Sequence, residues 1–158
     1  MLARLMFAYV DFAARKGLVE DADEETSAKD RRHGARRTGV QGETYAYWYL
    51  RRHGYIVVAK NYRRAGMKAE IDMIAYDGRV LAFVEVKTRS TKEQWPANPE
   101  EAVDSEKRRH LVRMARQCLR ERHSGSDAYR FDILAIECRP GSHPEVRLHK
   151  GAFGESDN

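Results

Sequence analysis

The stretch Glu70–Arg89, EIDMIAYDGRVLAFVEVKTR, constrains the fold of this chain more than any other. Apolar residues alternate on both sides of Asp77-Gly78, a dipeptide suited to the positive φ angles of a type I′ turn, so the pattern predicts a β-hairpin. With Asp77 and Gly78 as the loop, Tyr76 pairs with Arg79, Asp72 with Phe83 and Glu70 with Glu85. Strand side chains alternate, so Glu70, Asp72, Glu85 and Lys87 share one face, and Ile71, Met73, Ala75, Val80, Ala82, Val84 and Val86 take the other. A one-residue change in loop length would move Asp72 to the wrong side. The hairpin is otherwise too apolar to lie at a surface, which makes its clustered carboxylates and lysine the candidate active site.

Burying several anions together is unfavourable unless protons or cations neutralise them. A hard divalent cation does so directly, and Mg²⁺ or Mn²⁺ takes one or two carboxylates plus waters and phosphate oxygens. Asp72 and Glu85 are diagonal neighbours in the expected register, close enough for their side chains to meet around one ion. The Val86 backbone carbonyl is a further candidate ligand. Lys87 projects to the same face, where it either orients an attacking water and stabilises a crowded phosphate, or forms a plain salt bridge.

The rest of the chain supplies a scaffold. At 158 residues it has the length of one ordinary domain with some left over. With 29 Lys plus Arg against 24 Asp plus Glu, the formal charge is +5, which leans toward polyanionic partners. Cys118 and Cys138 lack paired Cys/His spacing, so buried thiols are expected rather than a disulfide or zinc site. The N-terminal MLARLMFAYVDFAARKGL is interrupted by Arg4 and Asp11, has no convincing cleavage site, and falls short of the ~20 apolar residues that span a bilayer. A soluble, cytoplasmic protein is the expectation.

Leu2 to Leu18 reads as an amphipathic helix with Leu2, Leu5, Met6, Tyr9, Phe12 and Ala13 at helical spacing, either an accessory extension or a docking or membrane-surface helix. Glu20–Arg37 is charged throughout and reads as a linker, with Arg31, Arg32, Arg36 and Arg37 either solvated or facing phosphate. From Gly42 a helix runs to Gly54, with Glu43, Ala46, Tyr47 and Leu50 on one stripe. Glu43 either complements the helix dipole or reaches a metal site beside the sheet.

Tyr55–Arg63 reads as a strand, and Tyr62, Arg63 and Arg64 are candidate backbone contacts or ordinary surface residues. STKEQWPANP predicts an irregular loop in which Trp95 either packs or stacks on a base. Asp104 or Ser105 caps a helix through about His123, with Val103, Leu111, Met114, Ala115, Cys118 and Leu119 buried. Arg108, Arg109, Arg113, Arg116 and Arg120 give that helix the best electrostatic footprint for nucleic acid in the chain, unless they form an ordinary solvated face. YRFDILAIEC predicts an interior strand in which Asp132 is structural or supports the site, and VRLHKGAF a final short strand with Phe153 as an apolar plug. The order helix, strand, hairpin, helix, strand, strand predicts an α/β sandwich with the hairpin near the middle of a mixed sheet.

These residues resemble the PD-(D/E)xK nuclease superfamily, with Asp72 as the first acid and Glu85-Val86-Lys87 as the E-x-K element. More closely, the chain is similar to the YraN-type bacterial proteins, which are themselves similar to archaeal Holliday junction resolvases. The motifs that carry the likeness are Gly42-Glu43 with Ala46, Asn61-Tyr62-Arg63, Glu70-Ile71-Asp72, Phe83–Arg89, Lys107 and Arg130-Phe131-Asp132. Ala69 stands where the family usually has glycine.

The resemblance covers about residues 39–153 and implies a restriction-endonuclease-like fold, order α-β-β-β-α-β-β, for a domain of residues 39–154. Residues 1–38 would be an N-terminal extension and 155–158 a tail. It further implies Glu43, Asp72, Glu85 and Lys87 as the site. From charge and position, Arg63, Arg89, Lys107, Arg108 and Arg109 are the expected nucleic-acid contacts. The implied activity is Mg²⁺-dependent hydrolysis of DNA phosphodiesters, with branched or structured DNA as substrate. Cutting a junction would call for a symmetric homodimer. The competing expectation is an adaptor that binds nucleic acid without turnover.

Overall fold

A computed structural model describes residues 2–17, 28–67, 69–90, 103–122, 128–139 and 142–155. Five strands form one sheet in sequence order: β1 (Ile56–Arg63), β2 (Glu70–Asp77), β3 (Val80–Ser90), β4 (Tyr129–Cys138) and β5 (Glu145–Phe153). All neighbours are antiparallel except β3 and β4, which run parallel from Leu81↔Tyr129 to Ser90↔Cys138. A parallel pair needs a crossover, and α3 (Ser105–Glu121) provides it. The remaining helices are α1 (Leu2–Gly17) and α2 (Ala28–Arg52). From α2 onward the element order is the one the sequence predicts, and the architecture is an α/β sandwich.

Each face of the sheet has its own core. On one side Tyr45, Ala46 and Leu50 of α2 pack with Met73, Ala75, Ala82, Val84, Leu134 and Ile136. On the other, Leu111, Met114, Ala115 and Cys118 of α3 meet Ile74, Leu81, Phe83, Phe131 and Ile133. Strand β4 is buried from Phe131 to Cys138, as an interior strand covered on both faces must be. Phe153 closes the α3 side by stacking on Phe131, with ring centroids 4.8 Å apart. Asp104 caps α3 by accepting the Lys107 N–H at 2.7 Å. Val112, absent from the expected stripe, is also buried. Both cysteines are free and buried.

The structure corrects the sequence reading in four places. The hairpin loop is Gly78-Arg79, closed by Asp77↔Val80. Only its first residue has positive φ (Gly78, 61°), the pattern of a type II′ turn rather than I′. Moving the loop by one residue adds one to each side of the count, so the register shifts by two and the division into faces survives. The ladder runs from Asp77↔Val80 to Met73↔Val84, so Asp72 and Glu85 stand just beyond its last pair.

Second, Ile71 joins the α3-side cluster instead of the face of Met73, because regular β2–β3 pairing stops at Met73. Third, α2 begins at Ala28, so residues 28–37 continue an established helix where a linker was expected, and the alanine, lysine and arginine there suit that conformation. Residues 20–27, the side chains of Arg31, Arg32, Arg36 and Arg37, and the Trp95 loop lie outside the described residues.

Fourth, α1 docks with Phe7, Val10 and Ala14, while Leu2, Leu5, Tyr9 and Phe12 remain exposed. Phe7 packs edge-on to Tyr45 at 5.2 Å, with the Arg52 guanidinium above its ring. No helix among the described residues is long and apolar enough to cross a membrane.

Candidate active site at the open end of the hairpin

Beyond Met73 the two arms of the hairpin part, and side chains take over from the ladder. Asp72 Oδ2 accepts the Val86 backbone N–H at 2.7 Å. Glu85, 4 % exposed, receives Lys87 Nζ at 3.1 Å and Lys107 Nζ at 3.3 Å on its Oε1. Its Oε2 is buried without a hydrogen-bond partner among the described residues. Burial and then repulsion from Glu85 push the Asp72 carboxyl up to about 7, against the pull of the Val86 N–H and Lys107; Glu43 adds a smaller push. Two carboxylates thus face each other in a dry place, incompletely compensated.

Glu43 reaches this end from the other layer. Its helix lies unusually close to the sheet there, since a Cβ on Gly42 would sit 1.9 Å from Thr88 Oγ1. Burial raises the Glu43 pKa, a hydrogen bond from the Asn61 side chain opposes the rise, and Glu70 repulsion adds to it. Asn61 holds φ 49°, the left-handed region that asparagine tolerates better than most residues. Glu70 is paired with Arg63.

Among the described residues no three His, Cys, Asp or Glu side chains converge closely enough to hold a metal ion. The pair Asp72 and Glu85 nevertheless fits a hard divalent cation that takes two carboxylates and completes its shell with water and phosphate. The unpartnered buried Oε2 of Glu85 and the raised pKa of Asp72 are what such a cation would relieve.

The expected nucleic-acid contacts divide. Lys107 stands in the site itself, and Arg63 beside it on Glu70. Arg89 follows Lys87 on β3 and is half-buried. Arg108 donates from Nε to the Val103 carbonyl at 2.8 Å, while Arg109 is exposed on α3. Tyr62 and Arg64 both engage Glu121, fastening the end of β1 to α3.

Asp132 is structural. Its carboxylate accepts Arg130 Nε at 2.9 and 3.1 Å and the Gly151 N–H at 2.9 Å. Arg130 extends the network to Tyr55 and to Asp77 at the closed end of the hairpin.

Sequence reasoning did not find the support Asn61 gives Glu43 or the position of Lys107 on Glu85. The Asn61-Tyr62-Arg63 motif was the available signal for the first. For the second, the signals were Lys107 among the motifs of the likeness and its one-turn placement before Leu111.

The model of the uncharacterised protein family UPF0102 matches residues 42–136. A UPF0102 protein of Koribacter versatilis is 44% identical over 118 residues, which cover 74% of this chain and 79% of the relative. One of Solibacter usitatus is 43% identical over 123 residues, covering 78% and 90%. One of Symbiobacterium thermophilum is 42% identical over 120 residues, covering 75% and 98%.

Proposed function

The chain belongs to the UPF0102 family, and on that footing we propose that it is a Mg²⁺-dependent endodeoxyribonuclease acting at branched or otherwise structured DNA. One observation carries the reading: Asp72 and Glu85 are buried together at the open end of the hairpin, with Glu85 Oε2 unpartnered among the described residues and two lysines on its other oxygen. Such a pair is costly in a folded protein unless a cation joins it.

Asp72 and Glu85 would hold the metal, with the Val86 carbonyl and Glu43 as further oxygens. The metal would supply Lewis-acid charge at the scissile phosphate. Lys87 and Lys107 approach the same carboxylate oxygen from β3 and α3, so either ammonium can turn to a non-bridging phosphate oxygen and offset the charge that builds there. A water oxygen bonds to phosphorus as the P–O ester bond breaks, and the departing alkoxide takes up a proton. Val86 N–H fixes one Asp72 oxygen and so orients the other.

A cleavage panel of linear, flapped and four-way DNA, with and without Mg²⁺, tests this. Wild type is expected to cut only with the metal, and Asp72→Ala and Lys87→Ala each to lose at least about a hundredfold in rate. Cutting that persists unchanged in both variants would sink the assignment.

A second reading has its own support, because both lysines already lie on Glu85 Oε1 and form an ion-pair cluster without a metal. The protein would then bind nucleic acid without turnover. Binding without cleavage across the whole panel would favour it.

A further inference from the structure

Beside the site, between the β1–β2 connection and α3, two depressions adjoin. The first, of about 360 Å³, is lined by Arg63, Met67, Ala69, Glu70, Lys107 and His110. The second, of about 320 Å³, shares Met67, Ala69 and His110 and adds Gly66, Glu106, Arg113 and Met114. Lys107 belongs to the wall of the first and lies 3.3 Å from Glu85, so the groove shares a side chain with the carboxylate pair. Its α3 wall repeats a cationic or titratable side chain every third residue, at Lys107, His110 and Arg113, which places them along one ridge of the helix. Arg113 also borders a depression on the outer side of α3 with Arg109, Arg116 and Arg120, so the basic lining continues away from the site.

The opposite wall is fastened. Tyr62 donates to Glu121 at 3.2 Å, Arg64 pairs with the same carboxylate, and the Met67 N–H closes a turn on the Arg64 carbonyl at 3.1 Å. Of the acids in the groove, Glu70 is taken up by Arg63, and Glu106 is exposed in the first turn of α3.

We propose that this groove seats an unpaired DNA strand on its way to the Asp72/Glu85 site, a deepening that rests on the nucleic-acid reading above. Phosphates follow the Lys107, His110 and Arg113 ridge, and a base face lies against Met67 and Ala69. The apolar floor decides between paired and unpaired DNA. A duplex turns phosphate and sugar outward and keeps its base faces stacked inside, so it has nothing to lay on methionine and alanine. An unpaired strand exposes those faces, so the Met67 and Ala69 side chains can cover one from water while the basic ridge tracks the phosphates regardless of sequence. The substrate class this selects is a flap, gap or single-stranded branch.

Binding measured by fluorescence anisotropy on the full chain, in EDTA so that nothing turns over, tests this with a labelled single-stranded oligonucleotide and the duplex of the same sequence at one salt concentration. The single strand is expected to bind at least about fivefold more tightly. His110→Glu and Met67→Glu should each weaken single-strand binding about tenfold and duplex binding less than about twofold. Equal affinity for the two wild-type complexes, tighter duplex binding, or equal losses on both in folded variants overturns the inference, and the wild-type comparison stands even where a variant does not fold. A single-strand preference with no cleavage on adding Mg²⁺ upholds the groove and removes the nuclease reading alone. No binding to either form removes both.

Discussion

Asp72 and Asp77 stand near opposite ends of β2, on the same strand of the same hairpin, and their electrostatics are opposed. Asp77 receives Lys150 Nζ at 2.7 Å and Arg130 at 2.6 Å, and those hydrogen bonds hold its carboxyl down at about 2. Asp72 is pushed up to about 7 by burial and by Glu85. The closed end of the hairpin is a completed network in which the fully buried Asp132 accepts from the Gly151 N–H and from Arg130, which also reaches Asp77 and Tyr55. The open end collects acids faster than it collects donors. Networks that hold a fold together are satisfied from within; a place where satisfaction is left to something else is where a ligand is expected.

The largest test of that contrast falls on the satisfied end. Asp132→Ala should cost about 2–4 kcal/mol in chemical denaturation, because it takes the acceptor from Arg130 Nε and the Gly151 N–H together and leaves Arg130 only Asp77 and Tyr55. A cost under about 1 kcal/mol would break the comparison.

At the open end the sign should reverse. The folded-state pKa of Asp72 lies above its unfolded value, so the native state holds the extra proton between about pH 4 and 7 and loses stability as pH rises through that window. Asp72→Asn keeps an oxygen for the Val86 N–H and removes the charge. In metal-free buffer it should match wild type below about pH 4 and exceed it by on the order of 2 kcal/mol at pH 8. Thermal melts at both pH values would show it, and an Asn variant weaker than wild type at pH 8 would count against a frustrated pair.

Gly42→Ala probes how Glu43 is brought to the same end. The added methyl meets Thr88 Oγ1, and overpacking of this kind costs about 1–3 kcal/mol. Thr88→Ala should recover part of the loss in the double variant; no recovery would place the strain elsewhere.

The smallest effect is expected at Asp77. Its pKa is depressed in the fold, so its contribution is present above about pH 4 and vanishes as pH falls through about 2. The ion pairs are open to solvent, which limits Asp77→Asn to a loss of about 1 kcal/mol at pH 7. Titrating both Asn variants side by side should give crossed pH profiles.

Much of the fold was legible in the chain. The hairpin, the interior β4, the cap at Asp104 and the burial of Phe153 all follow from period and turn chemistry, which act over a few residues. The faces of the hairpin were readable along its paired stretch even though the loop was placed one residue early, since a register change of two preserves them; Ile71, beyond the last β2–β3 pair, is the exception. The place of the loop was not readable, because Asp77-Gly78 and Gly78-Arg79 both offer a glycine with positive φ. The docking face of α1 was not readable either: the helix carries apolar residues on both sides, and only contact with Tyr45 selects Phe7 over Phe12.

By itself the sequence determined which residues share the polar face of the hairpin, because alternation along a strand is a local property. Tertiary structure alone decided that Lys107 joins Lys87 on Glu85, that Asn61 braces Glu43, and that one Glu85 oxygen has no partner among the described residues. Those facts depend on how α2 and α3 are laid against the sheet, and helix packing is fixed by the fit of two whole surfaces rather than by any short stretch of chain.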